Sequence, residues 1–349
     1  MSSRKKNAVL LLAHGSPEKP EDVPEFLKFV TAGRASQAIV EEVTHRYGLI
    51  GVSPLTRITL RQGELLSELL GLPVYVGMRN WKPFVSEAVE NMRSDGVERA
   101  VAICLAPQNS RTSTGLYQKA LLDSQQEAGA TFTTDFVENW HDHPLLIRAF
   151  AERLEQGWAR ACGEAGERVP IIFTAHSVPA RTIAEGDPYE AQAKETAALV
   201  AMQVASLRND DWTFAFQSQG MSGGPWLGPT VEETIRGLKA RGQRAVFIQP
   251  IGFVCDHVEV LYDIDIAFRD FAAQEGMKLW RAESLNESAT FIAALADVAR
   301  SRLEPEGEQG QMVQISPTLP AKNAGKGGPP TEGKGGAAAK KSNKGPAIQ

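Results

Sequence analysis

The sequence predicts an α/β fold of two Rossmann-like domains, each a roughly four-stranded parallel sheet flanked by helices, followed by a disordered C-terminal tail. Three observations predict it. Short apolar runs alternate with amphipathic stretches along most of the chain, the pattern of βαβ units. The runs fall into two sets that meet near His143-Pro144. From about Pro305 the composition turns to Gly, Pro, Lys and Ala, with almost nothing to bury.

The first run, Ala8 to Ala13, follows Arg4-Lys5-Lys6 and imitates the opening of a signal peptide. It breaks at His14-Gly15-Ser16-Pro17 after about six apolar residues, short of the roughly 7–15 of a signal core, and reads as a buried strand. Leu72 to Gly77, Ala100 to Ala106 and Phe132 to Asn139 complete the first set. Pro170 to Ala175, Trp212 to Gln217 and Ala245 to Ile251 supply the second. Pro83 to Asp95, Pro188 to Leu207 and Val231 to Arg241 have helical patterning. The expected division is 1–143 and 144–284 for the two domains, a helix in 285–304 packing on the first, and a tail over 305–349. No internal repeat is present. The tail cannot offset its ordering entropy. Residues 306–349 carry six lysines and three glutamates, and an inert solvated tail outweighs one that grips acidic surfaces.

A length of 349 residues suits two domains. The chain is 42% apolar, enough for real cores, and its 23% of charged residues is ordinary for a soluble protein. A formal charge of −5 leaves no basic footprint and argues against nucleic acid as partner, though not against a metal cation. Cys104, Cys162 and Cys255 are odd in number and lack any C-x-x-C, so neither a disulfide framework nor an iron–sulfur cluster is signalled. No stretch approaches the roughly 20 apolar residues of a membrane span. A cytoplasmic, reducing compartment and a monomeric chain are the expectation.

In open parallel sheets, ligands bind beyond the carboxyl ends of the strands. The residues following the apolar runs are strongly polar: His14-Gly15-Ser16-Pro17, Pro107-Gln108-Asn109-Ser110, His176-Ser177-Val178-Pro179, Gln217-Ser218-Gln219-Gly220 and Gly252 to His257. His176 can ligate a metal or accept a proton near neutral pH. It can equally be a histidine bonded to a neighbouring loop. Asp256 to Glu259 has the spacing of a capping box with Asp as N-cap, a purely structural device. Glu259 and Asp263, however, are four apart on one helix face, where like charges repel unless a cation or proton sits between them. That tips the segment towards handling a cation. Asp265 points elsewhere on the helix, and Ala267 ends the acidic row. Gly220 to Gly228 contains neither G-x-G-x-x-G nor G-x-x-x-x-G-K-[ST], so nucleotide binding is weakly supported. A mobile lip carrying Trp226 suits a flat apolar ligand better, and Thr230 with Glu233 has capping-box spacing.

These residues resemble the ferrochelatase family. Phe173-Thr174-Ala175-His176-Ser177-Val178-Pro179 with Gly186-Asp187-Pro188-Tyr189 looks like its strand-end signature. Phe216-Gln217-Ser218 with Pro225-Trp226-Leu227-Gly228-Pro229 is similar to a second block. Gly252-Phe253, Asp256-His257, Glu259 and Leu261-Tyr262-Asp263 are similar to a third. Gly51 to Leu55 and Leu105-Ala106-Pro107 agree as well, so the resemblance spans about 7–303 in order. It is closest to the compact, soluble, cluster-free bacterial type associated with coproporphyrin III, while others of the family use protoporphyrin IX.

The resemblance implies two Rossmann-like domains with a porphyrin between them, ferrous iron as substrate and no tightly bound cofactor. It implies metal binding or pyrrole-proton acceptance for His176, the opposite side of the site for Glu259, and a relay at Asp263. His14 stands where compact relatives usually carry Tyr, which adds a potential metal ligand to that face. Asn80 replaces a His seen in some relatives, which speaks against an outer metal-entry role there, and Ala267 truncates the acidic row, which weakens any secondary divalent-ion site. Substrate propionates need cationic or hydroxyl partners. Arg34, Ser53, Arg57 and Thr112 are candidates by position, Arg34 and Ser53 with the added support of the resemblance, although an isolated surface Arg serves solubility at least as well. Leu11 to Ser16 also resembles the opening of sirohydrochlorin chelatases, the nearest alternative. A non-catalytic porphyrin or haem carrier is the alternative from another class.

Overall fold

A computed structural model describes residues 6–219 and 224–303. The tail expected over 305–349 lies outside the described residues, as does the first part of the Gly220 to Gly228 loop.

Eight strands form two parallel sheets. β1 (Asn7–Ala13), β2 (Val74–Met78), β3 (Arg99–Cys104) and β4 (Thr133–Val137) stand in the order β2-β1-β3-β4. β5 (Ile171–His176), β6 (Trp212–Gln217), β7 (Ala245–Pro250) and β8 (Lys278–Arg281) stand in the order β6-β5-β7-β8. Seven of these follow the sequence expectation to within a few residues. β8 was not foreseen, because Lys278-Leu279-Trp280-Arg281 is short and charged at both ends, a weak apolar run for an edge strand.

The helices in chain order are α1 (Val23–Thr31), α2 (Gln37–Ile50), α3 (Leu55–Leu70), α4 (Val85–Ser94), α5 (Thr114–Glu127) and α6 (Pro144–Ala165). Then come α7 (Ala180–Ala184), α8 (Tyr189–Gln203), α9 (Val231–Ala240), α10 (Val258–Leu261), α11 (Arg269–Gln274) and α12 (Ala289–Leu303). Thr230 caps α9 through the expected capping box, its Oγ1 accepting from Glu233 N at 3.1 Å while Glu233 Oε2 accepts from Thr230 N at 2.9 Å.

Both faces of each sheet are covered, which explains why the central strands read as unbroken apolar runs. In β1, Val9 and Leu11 join a core shared with the inner face of the second sheet, where Ile171, Phe173 and Phe247 lie. Ala8, Leu10 and Leu12 point the other way, into a core with α4 and α5. α6 and α12 fill the shared core, and Trp140 meets Phe291 with ring centroids 6.0 Å apart. α12 is tied further by Arg300 Nη2 donating to Leu69 O (3.1 Å) and by the Arg302–Asp135 ion pair. Gln108, just past β3, donates from Nε2 to Thr196 Oγ1 and Ile251 O, stitching the first half to the second.

The topology puts the two sheets' crevices where chemistry is expected. The chain leaves β1 for β2 on one side and then for β3 on the other. It leaves β5 for β6 on one side and for β7 on the other. Each reversal opens a gap beyond the carboxyl ends of two adjacent strands. His14 follows β1, and His176 ends β5.

Close approach at the second gap depends on Gly252. A Cβ there would stand 2.8 Å from Ala175 Cβ. Gly252→Ala is therefore expected to lower unfolding free energy by about 1–3 kcal/mol, the usual range for overpacking, as measured by urea denaturation. An unchanged midpoint would show that the two strand ends can separate without loss.

Candidate active site

Beyond the strand ends lies a cavity of about 630 Å³, within the roughly 300–1,000 Å³ of small-molecule sites. Its apolar lining includes Phe26, Val30, Tyr117, Val178, Trp226 and Phe253. His14, Thr112, His176, Glu259 and Asp263 face the same space. Residues from both halves of the chain thus meet there, as the strand-end rule anticipated.

His176 is the last residue of β5, in register with Gln217 of β6. Tyr189 Oη donates to its carbonyl at 2.9 Å, and its Nδ1 donates to Ser177 O. Its Nε2 lies 3.3 Å from Glu259 Oε1, each side chain about one-third exposed to the cavity (32% and 33%). Burial alone would lower the His176 pKa, but the charge of Glu259, its hydrogen bond and the Ser177 carbonyl outweigh it and raise the value to about 9. Glu259 is opposed by its own burial, yet His176 and His257 hold it well below the usual carboxylate range. The two form an ion pair at neutral pH.

Glu259 belongs to α10, whose N-cap is His257 with no side-chain cap. The capping box that the spacing also allowed is therefore not formed. Asp256 instead accepts from Ser284 Oγ (2.7 Å), Asn286 Nδ2 (2.9 Å) and Arg281 Nη2 (3.2 Å). Arg281 also holds Asp265 through two 2.8 Å bonds, so Asp265 points away from the cavity as expected. A carboxylate with three side-chain donors has no reason to cap a helix, and the network fixes the loop that presents Glu259. Gln217 Nε2 reaches Glu259 O at 2.9 Å, and His257 Nε2 is 3.4 Å from Glu259 Oε2.

Asp263 begins a π-helical stretch, Asp263–Phe268, the kind of local widening often found at functional sites. Glu259 and Asp263 therefore share the cavity wall, but not through the regular α-helical face that their spacing suggested. Asp263 accepts from Ser218 Oγ and lies 4.0 Å from Arg46 Nη1. Burial and the charge of Glu259 raise its pKa to about 6. Ala267 follows within the same stretch. Among the described residues, no group of three His, Cys, Asp or Glu side chains is arranged to hold a metal ion.

His14 opens onto the cavity from the first sheet, its ring edge-on to Phe26. Its Nδ1 is 2.9 Å from Gly15 O, which can only accept, so Nδ1 carries the proton and Nε2 keeps its lone pair. The surrounding cavity walls and then Arg79 lower its pKa to about 4, leaving it neutral at pH 7. The turn depends on Gly15, whose φ is +83° and whose absent Cβ leaves room for Trp81 N.

Trp226 does not stand on a free lip. Its segment is joined to the loop after β5 by Leu227 N to Val178 O (3.0 Å) and Ala180 N to Pro225 O (2.9 Å). Thr112 lines the cavity and bonds Ser110 Oγ at 2.8 Å. Arg34, Ser53 and Arg57 lie outside its described wall. Arg34 donates to Thr31 O, and Ser53 is buried with no hydrogen-bond partner for its hydroxyl among the described residues. Arg57 sits in α3 rather than in a loop, 71% exposed beside Glu287. Asn80 is buried, its amide NH₂ without a partner among the described residues. Sequence reasoning passed over Arg46, Arg79 and Tyr117, all in the wall. Arg79 follows β2 directly, so the strand-end rule, applied to that strand too, would have found it.

Comparison with known proteins agrees with this geometry. The model of the ferrochelatase family matches residues 6–303. A protein named ferrochelatase from Acidobacterium capsulatum is 54% identical over 85% of this chain and 94% of its own. One named coproporphyrin III ferrochelatase from a Geobacillus species is 36% identical over 86% of this chain and 99% of its own. Among solved structures, SirB from Bacillus subtilis with Fe3+ has a TM-score of 0.52 at 11% identity, covering 85% of this chain and 97% of that one. At such identity the likeness is one of fold alone.

Proposed function

The chain belongs to the ferrochelatase family, and from that premise we propose how its cavity inserts iron(II) into a porphyrin and which porphyrins it takes. It is a metal chelatase of haem biosynthesis, and its reaction releases two pyrrole protons as iron enters the macrocycle. The observation that carries the assignment of parts is the His176–Glu259 pair, 3.3 Å apart on the wall of a largely apolar cavity.

A flat macrocycle fits between the two strand-end gaps, with residues 1–143 and 144–284 as the two domains of the cleft. His176 is protonated at rest, so it cannot accept a pyrrole proton immediately. Iron(II) approaching Glu259 changes that. Imidazole and carboxylate both suit this ion, and a dication beside Glu259 cancels the charge that keeps the His176 proton in place. The displaced proton passes to Asp263, whose value of about 6 suits a relay near neutral pH. Asp263 releases that proton to solvent; neutral His176 then takes one pyrrole proton while Glu259 holds the ion, passes it out by way of Asp263, and takes the second in turn. His14 meets the macrocycle from the first sheet with its Nε2 lone pair. Trp226 provides an apolar face, and Thr112 a hydroxyl for a propionate. Arg34, Ser53 and Arg57 would meet only a propionate extending beyond the wall.

The printed name of one relative, coproporphyrin III ferrochelatase, supports that porphyrin as a candidate, and protoporphyrin IX stands beside it on the family resemblance. No helix among the described residues is long and apolar enough to cross a membrane, and a cytoplasmic monomer without a tightly bound cofactor is our reading. Anaerobic incubation with iron(II) and each porphyrin, followed by absorbance, is expected to convert the free-base spectrum to that of the metalloporphyrin. Turnover of sirohydrochlorin alone would overturn the proposal.

A further inference from the structure

The two walls of the cavity differ in charge. On the second-sheet side, Glu259 and Asp263 are engaged by His176, His257, Ser218 and Arg46. On the first-sheet side stands Arg79, at the end of β2 and tied by its backbone N–H to Ala13 O at 3.0 Å. Its guanidinium lies over the ring of Tyr117, 5.6 Å from the centroid, where Tyr117 belongs to α5. A guanidinium held over an aromatic ring can still present its N–H groups to a carboxylate.

Arg79 differs from Arg46, the other arginine of the wall. Arg46 pairs with Glu42 and Asp263, whereas Arg79 enters no ion pair among the described residues, and its Nε is buried with no hydrogen-bond partner among them. A buried donor without an acceptor is costly and uncommon, and it calls for an explanation. A ligand carboxylate at that edge would supply the acceptor and neutralise the charge together.

We infer that Arg79 receives a propionate of the substrate inside the cavity and so favours coproporphyrin III over protoporphyrin IX. This rests on the cavity being a porphyrin site. Coproporphyrin III bears a propionate on every pyrrole, so whichever way the ring enters, a carboxylate is carried inward. Protoporphyrin IX can keep its two propionates outward and present vinyl groups instead, leaving Arg79 unpaired. A site built to bond a polar group discriminates strongly against an analogue that lacks it, since the site's own donor is stranded.

The test is steady-state insertion of zinc into both porphyrins by the full chain and by Arg79→Met and Arg79→Lys. Arg79→Met is expected to raise KM for coproporphyrin III roughly 10- to 100-fold, as for loss of a hydrogen bond to a charged group, with kcat nearly unchanged. KM for protoporphyrin IX should stay within about threefold. Arg79→Lys should recover part of the coproporphyrin III affinity, because a point charge replaces the fork only in part. A fall in kcat at constant KM, or an equal loss for both porphyrins, would overturn the inference by making Arg79 a general support of the site. If Arg79→Met does not fold, Arg79→Lys decides: an unchanged KM ratio between the two porphyrins overturns it. A wild-type chain that metallates neither porphyrin would take down the ferrochelatase reading as well, whereas turnover of both with no effect of Arg79 removes only this inference.

Discussion

His176→Ala is expected to lower kcat for iron insertion by about 10²- to 10⁴-fold, the range for loss of a general acid–base group. Porphyrin should still bind, because the apolar lining and the propionate contacts lie elsewhere on the wall. The measurements are single-turnover insertion by absorbance and porphyrin affinity by quenching of protein fluorescence. Loss in kcat with affinity retained marks an interaction made in the chemical step rather than in binding. Intact turnover in the variant would remove His176 from the mechanism. The substitution also leaves Glu259 without its closest cationic partner, so its carboxylate pKa should rise, and a loss smaller at pH 8 than at pH 6 would report that shift.

Glu259→Gln is expected to cost about 10²-fold or more in kcat and to change the titration of His176. In the wild-type chain, Glu259 is the main group opposing the effect of burial on His176, whose pKa stands at about 9. With a neutral amide in its place, the pKa falls well below 9, with burial pulling it down and only the Ser177 carbonyl and Asp263 still holding it up. Histidine ring NMR across pH 5–10 reads this directly. A His176 titration still near 9 would show that Glu259 is not what holds the proton. The variant separates two causes of failure, since His176 then gives up its proton at lower pH and is more available as a base while the carboxylate for iron is gone.

The same pair sets a sign for stability. The folded pKa of His176 lies above 6.5, so its contribution is fully present below about 6.5 and is lost as pH rises through about 9. Glu259 is shifted down, so its contribution is present above about 4.5 and is lost as pH falls through its folded value. The difference in urea midpoint between wild type and Glu259→Gln should therefore be larger at pH 6.5 than at pH 10.

Seven strands were legible because each is an apolar run with a polar stop, and β8 was not because an edge strand needs few apolar residues. The strand-end rule found His14, His176 and the loop leading to Glu259. Arg79 escapes it because the apolar run stops at Gly77, one residue short of the end of β2 at Met78. The role of Asp256 was not legible for a different reason. Its spacing to Glu259 is that of a capping box, but Ser284, Asn286 and Arg281 arrive from a distant part of the chain with more donors than a helix start offers.

The sequence by itself determined the two parallel sheets, the polar residues at their carboxyl ends and, through ordered motifs, the chelatase family. These follow from local periodicity and from residue order, which need no knowledge of how the halves meet. Only the tertiary structure decided that His176 and Glu259 form an ion pair, that the segment after α10 opens into a π-helical stretch, and that Arg79 lies over Tyr117 without an acidic partner among the described residues. The physical reason is that charge and proton affinity depend on neighbours within a few ångströms. In this chain those neighbours come from strands and helices far apart in sequence, brought together where two sheets reverse their order.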